Sequence, residues 1–204
     1  MGHSCNDHII RDGEFLRDFE GMYRAEKDPW SHMSSGVSRD TLTLIKQLSS
    51  QRYSKVLDAG AGLGAQSEAI MQGLDLKGEQ YLGTDVSSSC VEKAKRQGMN
   101  FVCDDLRVSN PAFTSEFDLV IAIKILYYCA PEIDITLENI RSYLRPGGVL
   151  SYVYNETPDS FSLKWLSLAS LRERLEIGFS LEYSEESVSG NEVTAVDIWK
   201  INDA

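Results

Sequence analysis

Val56-Leu57-Asp58-Ala59-Gly60-Ala61-Gly62-Leu63-Gly64 decides how this chain folds. A short apolar run ends on an acid, and three glycines follow at alternate positions. The run from Lys55 to Leu57, with Tyr53 before it, reads as a buried parallel strand over 53–58. Residues 65–74 read as the helix that follows. The glycines then occupy the tight turn between them. Glycine there takes positive φ and lets a ligand approach the backbone, because no Cβ is in the way. The amides of the turn and of the helix N-terminus face an anion. A dinucleotide-binding turn would read Gly-x-Gly-x-x-Gly, with no acid required before it. Here the third glycine comes one residue too early, and Asp58 at the mouth would repel a pyrophosphate. An acid in that place suits a cationic ligand.

Strands and helices alternate from that point. Gln80 to Asp85 reads as a second strand ending in an acid, and Ser87 or Ser88 caps a helix running to about Gln97. Asn100 to Cys103 is a third strand, followed by Asp104 and Asp105. Asp118 to Ile123 is a fourth, Pro131 to Leu144 a helix, Arg145-Pro146-Gly147-Gly148 a hard turn, and Val149 to Tyr154 a fifth strand. This order predicts a parallel sheet covered on both faces. Ser160 to Leu175 reads as helical. Ser180 to Val188 and Val193 to Ile201 read as two strands joined by Ser189-Gly190-Asn191, a hairpin signal. Before the core, residues 1–10 read as frayed. A helix is expected from Arg11 to Arg24 with Phe15, Phe19 and Met22 on one face. A second follows Ser38, with Leu42, Ile45 and Leu48 recurring and Leu44 broadening the stripe.

At 204 residues the chain is expected to form one domain, residues 1–204, with 1–50 an N-terminal helical cap. The net charge of −11 argues against nucleic-acid partners, which need Lys and Arg to neutralise phosphates. No apolar stretch is long enough to cross a membrane. The N-terminus has no basic region followed by an apolar core, so no signal peptide and a cytoplasmic location are expected. The four cysteines show no metal spacing and read as reduced thiols, and no metal site is expected.

In an open parallel sheet a ligand sits outside the carboxyl ends of the strands. Asp58, Asp85, Asp104-Asp105 and Lys124 all fall there. A carboxylate such as Asp85, at the end of the second strand, can accept both hydroxyls of a ribose, or it can cap the turn at Val86-Ser87.

Asp-x-Gly-x-Gly-x-Gly over 58–64 resembles motif I of class I S-adenosylmethionine (SAM) methyltransferases. With Asp85, the acids after the third strand, Phe117-Asp118-Leu119-Val120-Ile121 and Leu144-Arg145-Pro146-Gly147-Gly148, the resemblance extends over roughly residues 50–155, with a weaker match in the closing hairpin. It implies a Rossmann-like α/β fold: a mainly parallel seven-stranded sheet, a closing antiparallel hairpin and helices on both faces. It implies that Gly60 and Gly62 contact the methionine end of SAM, that Asp58 holds the loop and that Asp85 binds the ribose. An acid after the third strand would accept from the adenine amino group: Asp105 by its spacing from Phe101 and its place before the apolar Leu106, or Asp104. The fourth strand ends Lys124-Ile125-Leu126-Tyr127-Tyr128, without the Asn/Asp-Pro-Pro-Tyr of enzymes that methylate nucleic-acid amino groups. That points to a small-molecule acceptor. Lys124 would meet the cofactor or an acceptor's carboxylate or phosphate, or pair with a nearby acid.

The segment Glu20 to Trp30, a tyrosine followed by Asp-Pro-Trp, resembles the nodulation N-methyltransferase group. There the segment forms a lid, which makes Trp30 a cofactor contact and Tyr23 an acceptor-orienting group. Tyr127 is a second such group, His32 a candidate base, and Glu20 a candidate anchor for a substrate amine. The function expected is SAM-dependent methyl transfer to N or O of a small molecule. The alternatives are a SAM-binding sensor or partner protein without catalysis, and an NAD(P)-dependent oxidoreductase.

Overall fold

The computed structural model describes residues 6–12, 14–158 and 164–202. Seven strands, β1 (Val56–Ala59), β2 (Tyr81–Asp85), β3 (Phe101–Cys103), β4 (Phe117–Ile123), β5 (Leu144–Glu156), β6 (Phe179–Ser189) and β7 (Glu192–Ile201), form one sheet. Their order is β3-β2-β1-β4-β5-β7-β6. The first five pair in parallel, with Leu57 opposite both Leu82 and Val120. β7 runs antiparallel to both β5 and β6. This is the expected α/β sheet with its closing hairpin. The chain order reverses between β1 and β4, and the crevice at that reversal lies beside the glycine turn.

Period-two alternation explains why the central strands are apolar throughout. Leu57, Val120 and Leu150 face one buried cluster with Ile140 and Leu171. Val56, Leu119, Ile121 and Val149 face the other, with Leu44, Ile70 and Val91. Helices α2 (Arg39–Leu48), α3 (Ser67–Gly73) and α4 (Ser88–Arg96) supply the second face; α5 (Ile133–Tyr143) and α6 (Leu168–Leu175) supply the first. At the amino edge of the sheet Asp118 accepts from the backbone N–H of Lys55 at 2.8 Å and from Arg145 at 3.1 Å. It thereby ties the start of β1 to the first residues of β5, where the turn expected at Arg145–Gly148 is instead part of the strand, with a shift in register.

Five further expectations change. The helix from Arg11 to Arg24 is not continuous. Ile10–Arg11 pairs with Glu14–Phe15 as a two-residue ladder, and α1 covers only Phe19–Ala25. Asp12 and Arg17 adopt φ of 52° and 55°, outside the right-handed helical region, and Asp18 caps the new start by accepting from the Gly21 N–H. In α2 the buried stripe is Thr41, Leu44, Ile45 and Leu48, the spacing of one helical face, while Leu42 is 53% exposed. The helix expected from Pro131 begins as a 3-10 turn over Leu126–Glu132 and becomes α only at Ile133. The last helix is α from Leu168 to Leu175; the expected residues 160–163 lie outside the described residues, as do 1–5. Ile9, read as frayed, is buried with Met22, Tyr23, Leu63 and Cys90.

The N-terminal segment is fastened over the carboxyl edge by two helix ends that cap each other. Glu20 on α1 accepts from Ser87 Oγ at 2.7 Å, Ser89 Oγ at 2.7 Å and Ser89 N–H at 3.1 Å. Its charge therefore sits at the N-terminus of α4, where the helix dipole favours it. Lys93 on α4 returns the favour, donating to the carbonyls of Tyr23 and Glu26 at the C-terminus of α1. The serine hydroxyls and amide hold the Glu20 carboxyl down at about 2. Glu20 is thus committed to a helix end and does not anchor a substrate amine.

Candidate active site

The residues singled out from sequence converge on one cavity of about 400 Å³ at the carboxyl edge. Asp58, Gly60, Gly62, Asp85, Asp104, Asp105, Leu106 and Lys124 line it from the sheet side; Tyr23, Trp30, His32 and Tyr127 line it from the N-terminal segment and the turn after β4.

The floor is the glycine turn. Gly60 and Gly62 sit at φ +65° and +59°, and a Cβ on Gly60 would stand 2.8 Å from Ile125 Cγ2. Only glycine leaves the backbone bare to a ligand here. Below the turn Asp58 is buried, accepting from the Tyr81 hydroxyl; Ser67 Oγ stands 2.7 Å from that hydroxyl. Burial pushes the Asp58 carboxyl up to about 7, against the lowering effect of those two hydroxyls. Asp85 is fixed by two backbone donors, Gly62 N–H at 3.1 Å and Ser87 N–H at 2.9 Å. It both caps the turn into α4 and faces the cavity, and burial raises it to about 6. Two acids held above their ordinary range beside a cavity are poised for a cationic ligand.

This geometry fixes a pH dependence. Asp58 keeps its proton in the folded chain through a range in which the unfolded chain has lost it. Its contribution to stability is therefore full below the ordinary carboxylate value and is lost as pH rises through about 7. Asp85, raised to about 6 by burial, adds a fall of the same sign; without ligand the melting temperature is expected to fall between pH 5 and pH 8, and Asp58→Asn to reduce that fall. A variant whose melting curve keeps the wild-type slope would remove Asp58 as its source.

The two acids after β3 part company. Asp105 is spent: Arg107 grips it with Nε at 2.9 Å and a terminal nitrogen at 2.7 Å. Asp104 accepts from Asn110 Nδ2 at 2.7 Å through one oxygen, while its Oδ2 is buried with no hydrogen-bond partner. A buried acceptor left bare is costly unless something donates to it.

Over the cavity, Asp28 accepts from the N–H groups of His32 and Met33 at 3.1 and 3.0 Å, holding the turn that carries His32. Desolvation, helped by Lys124 and opposed by Asp28, keeps the His32 imidazole below its ordinary value. Gln66 ties the next stretch down, accepting from Ser38 N–H at 3.1 Å and donating to the Gly36 carbonyl at 3.3 Å. Tyr23 is buried and hydrogen-bonded to Trp30 and Cys90, and burial drives its hydroxyl well above the usual tyrosine range. Tyr127 packs edge-on to Tyr128 and Tyr154. Lys124 adopts φ 58° and pairs with Asp40 of α2 at 3.4 Å, one of the two fates open to it from sequence.

Sequence reasoning missed Arg17, Asp28, Gln66 and Arg107 as cavity residues. Asp28 had a signal, since an Asp before Pro at the entry to a helical turn is a capping pattern. Among the described residues no cluster of metal-ligating side chains occurs, and no helix is long and apolar enough to cross a membrane.

Residues 57–150 match the family model described as a methyltransferase domain. Fumosorinone synthetase of Cordyceps fumosorosea (strain ARSEF 2679) is 36% identical over 119 residues, which are 53% of this chain and 3% of that protein. The chain spans only 3% to 4% of the length of the curated relatives it matches. Among solved structures, the N-methyltransferase NodS from Bradyrhizobium japonicum WM9, in complex with S-adenosyl-L-homocysteine, superposes with a TM-score of 0.68 at 18% identity, covering 88% of this chain and 94% of that one. The CurJ carbon methyltransferase superposes with a TM-score of 0.64 at 18% identity, covering 98% of this chain and 61% of that one. These likenesses bear out the fold.

Proposed function

We propose, from the premise that this chain carries a class I SAM-dependent methyltransferase domain, that it transfers a methyl group from SAM to a small-molecule acceptor. What supports the reading above all is one cavity lined by Asp104, Asp85 and the Gly60–Gly62 turn, with the buried Asp104 Oδ2 lacking a protein donor. That set fits a ligand with a donor at one end, a diol in the middle and an amino acid at the other. Asp104 accepts from the adenine amino group, Asp85 from the ribose hydroxyls, and the Gly60–Gly62 backbone cradles the methionine end over Asp58. Leu106 packs against the adenine, and Trp30 closes over the cofactor. When bound, SAM supplies an electrophilic methyl on a positively charged sulfur.

The chain's own residues position the acceptor, and positioning can supply much of the barrier reduction. Residues 1–50 serve as a cap over the site within a single domain of residues 1–204. Tyr23 and Tyr127 orient the acceptor. His32, kept neutral by its surroundings, takes the acceptor's proton: the acceptor's bond to hydrogen breaks and an imidazole N–H forms.

The acceptor atom is O or N in the first reading. Carbon is the second, favoured by the likeness to the CurJ carbon methyltransferase. The test is in two stages. S-adenosylhomocysteine at 100 times its dissociation constant should add about 2.7 kcal/mol of stability, and NADH should add none. Release of S-adenosylhomocysteine from SAM is then followed against phenols, amines and β-dicarbonyl compounds. A shift with NADH alone would overturn the reading in favour of an oxidoreductase. Binding without release on any acceptor would make the protein a SAM-dependent sensor.

A further inference from the structure

The geometry points to an acceptor chamber that does not take an anion: a neutral, largely apolar acceptor with an acidic O–H or C–H, not a carboxylate or a phosphate. The inference rests on the methyl-transfer reading for where the chamber lies, and it deepens that reading by naming a substrate class. It comes from accounting for every charge that faces the cavity.

Three cations line the cavity, and each is already matched to a carboxylate of its own. Arg17 grips Glu132 with two nitrogens at 2.6 and 3.3 Å. Arg107 grips Asp105 at 2.9 and 2.7 Å. Lys124 reaches Asp40 at 3.4 Å. The acids are engaged to different degrees. Asp28 holds the amides of His32 and Met33, Asp58 and Asp85 lie under and beside the turn assigned to the cofactor, whose own positive charges they face, and Asp104 has one oxygen on Asn110 and the other, without a protein donor, assigned to the adenine amino group. Glu20 is engaged at the N-terminus of α4.

The remaining wall is aromatic. Tyr128 packs against Phe19 at 5.2 Å, Tyr127 at 4.6 Å and Trp30 at 6.2 Å between ring centroids, and all four rings line the cavity. An anionic acceptor entering here would have to break one of the three ion pairs or remain uncompensated among rings. Either course is costly in a partly desolvated site. It would also approach against a net charge of −11. A neutral acceptor meets none of these costs, gains the contact of the rings, and offers its acidic proton to His32.

Lys124 is the hinge of the accounting. It holds a left-handed backbone at φ 58°, a conformation that costs a non-glycine residue. Its N–H is fixed to the Val153 carbonyl at 2.8 Å, so its side chain is aimed from the end of β4 across to α2. Asp40 is what keeps its charge from the chamber.

Binding of two matched pairs to the protein saturated with S-adenosylhomocysteine tests this, by calorimetry and without turnover. The pairs are methyl 4-hydroxycinnamate with 4-hydroxycinnamate, and methyl 3-oxooctanoate with 3-oxooctanoate. The ester of at least one pair is expected to bind ten times more tightly than its acid or better; which pair does so separates a phenolic from a β-dicarbonyl acceptor. Asp40→Asn, which leaves the Lys124 charge facing the chamber, is expected to narrow that ratio at least fivefold. Acids that bind as tightly as their esters to the wild-type protein would overturn the inference, independently of how the variant folds. So would S-adenosylhomocysteine binding with none of the four compounds following it, an outcome that leaves the cofactor site standing. Failure of S-adenosylhomocysteine itself to bind would instead overturn the underlying reading.

Discussion

Alanine at position 85 is expected to weaken S-adenosylhomocysteine binding at least tenfold. Asp85 contributes at two levels. Its carboxylate holds Gly62 N–H and Ser87 N–H, so it fixes the glycine turn and the entry to α4 together. It also faces the cavity where the ribose is assigned. A hydrogen bond to a charged group contributes about 1.5–3 kcal/mol, which corresponds to roughly ten- to a hundredfold in affinity. Alanine removes the ribose acceptor and leaves the two amides without their partner. Asparagine keeps one acceptor oxygen and should fall between wild type and alanine. Isothermal titration of the three proteins gives the order directly. Equal dissociation constants for wild type and Asp85→Ala would place Asp85 outside the site, as a cap for α4 and nothing more.

The acid-headed glycine turn was legible because its information is local. A strand, an acid and three glycines at fixed spacing leave few backbone paths, and Gly60, Gly62 and Gly64 all take the positive φ that spacing requires. The strands were legible for the same reason, since Leu119 to Ile123 is apolar on both faces. What the sequence concealed depends on partners far along the chain. Arg17 meets Glu132 across 115 positions, and Gln66 meets Ser38 across 28; no local pattern marks either pair. The helix expected over 11–24 failed for a related reason. Phe15, Phe19 and Met22 do turn inward, but Phe15 does so from a two-residue ladder that stacks it near Tyr128. Tertiary contact with the turn after β4 overrides the helical period. Between Asp104 and Asp105 the sequence left a choice. Arg107, two residues on, was the signal that one acid would be consumed locally.

Valine at position 60 is expected to abolish high-affinity cofactor binding, by about a hundredfold or more, while leaving a folded protein. Two costs add. A left-handed backbone carries a penalty of about 1–2 kcal/mol for a residue with a Cβ, and a β-branched residue is at the unfavourable end of that range. The Cβ itself would stand 2.8 Å from Ile125 Cγ2, so the wall of the cavity must shift before any ligand arrives. The branches beyond it occupy space assigned to the methionine end of the cofactor. The two costs fall on the free and the bound protein alike and lower the melting temperature, whereas the hundredfold loss of affinity, about 2.7 kcal/mol, comes from the space the side chain takes from the cofactor. The turn is at the carboxyl edge, where Ile125 packs on the rim of one core cluster, so the melting temperature is expected to fall along with the affinity. The double variant Gly60→Val/Ile125→Ala separates the two costs. Shortening Ile125 relieves the clash and should recover most of the melting temperature, but it cannot bare the backbone again. Recovery of affinity along with stability would mean that Gly60 serves packing against Ile125, not the ligand.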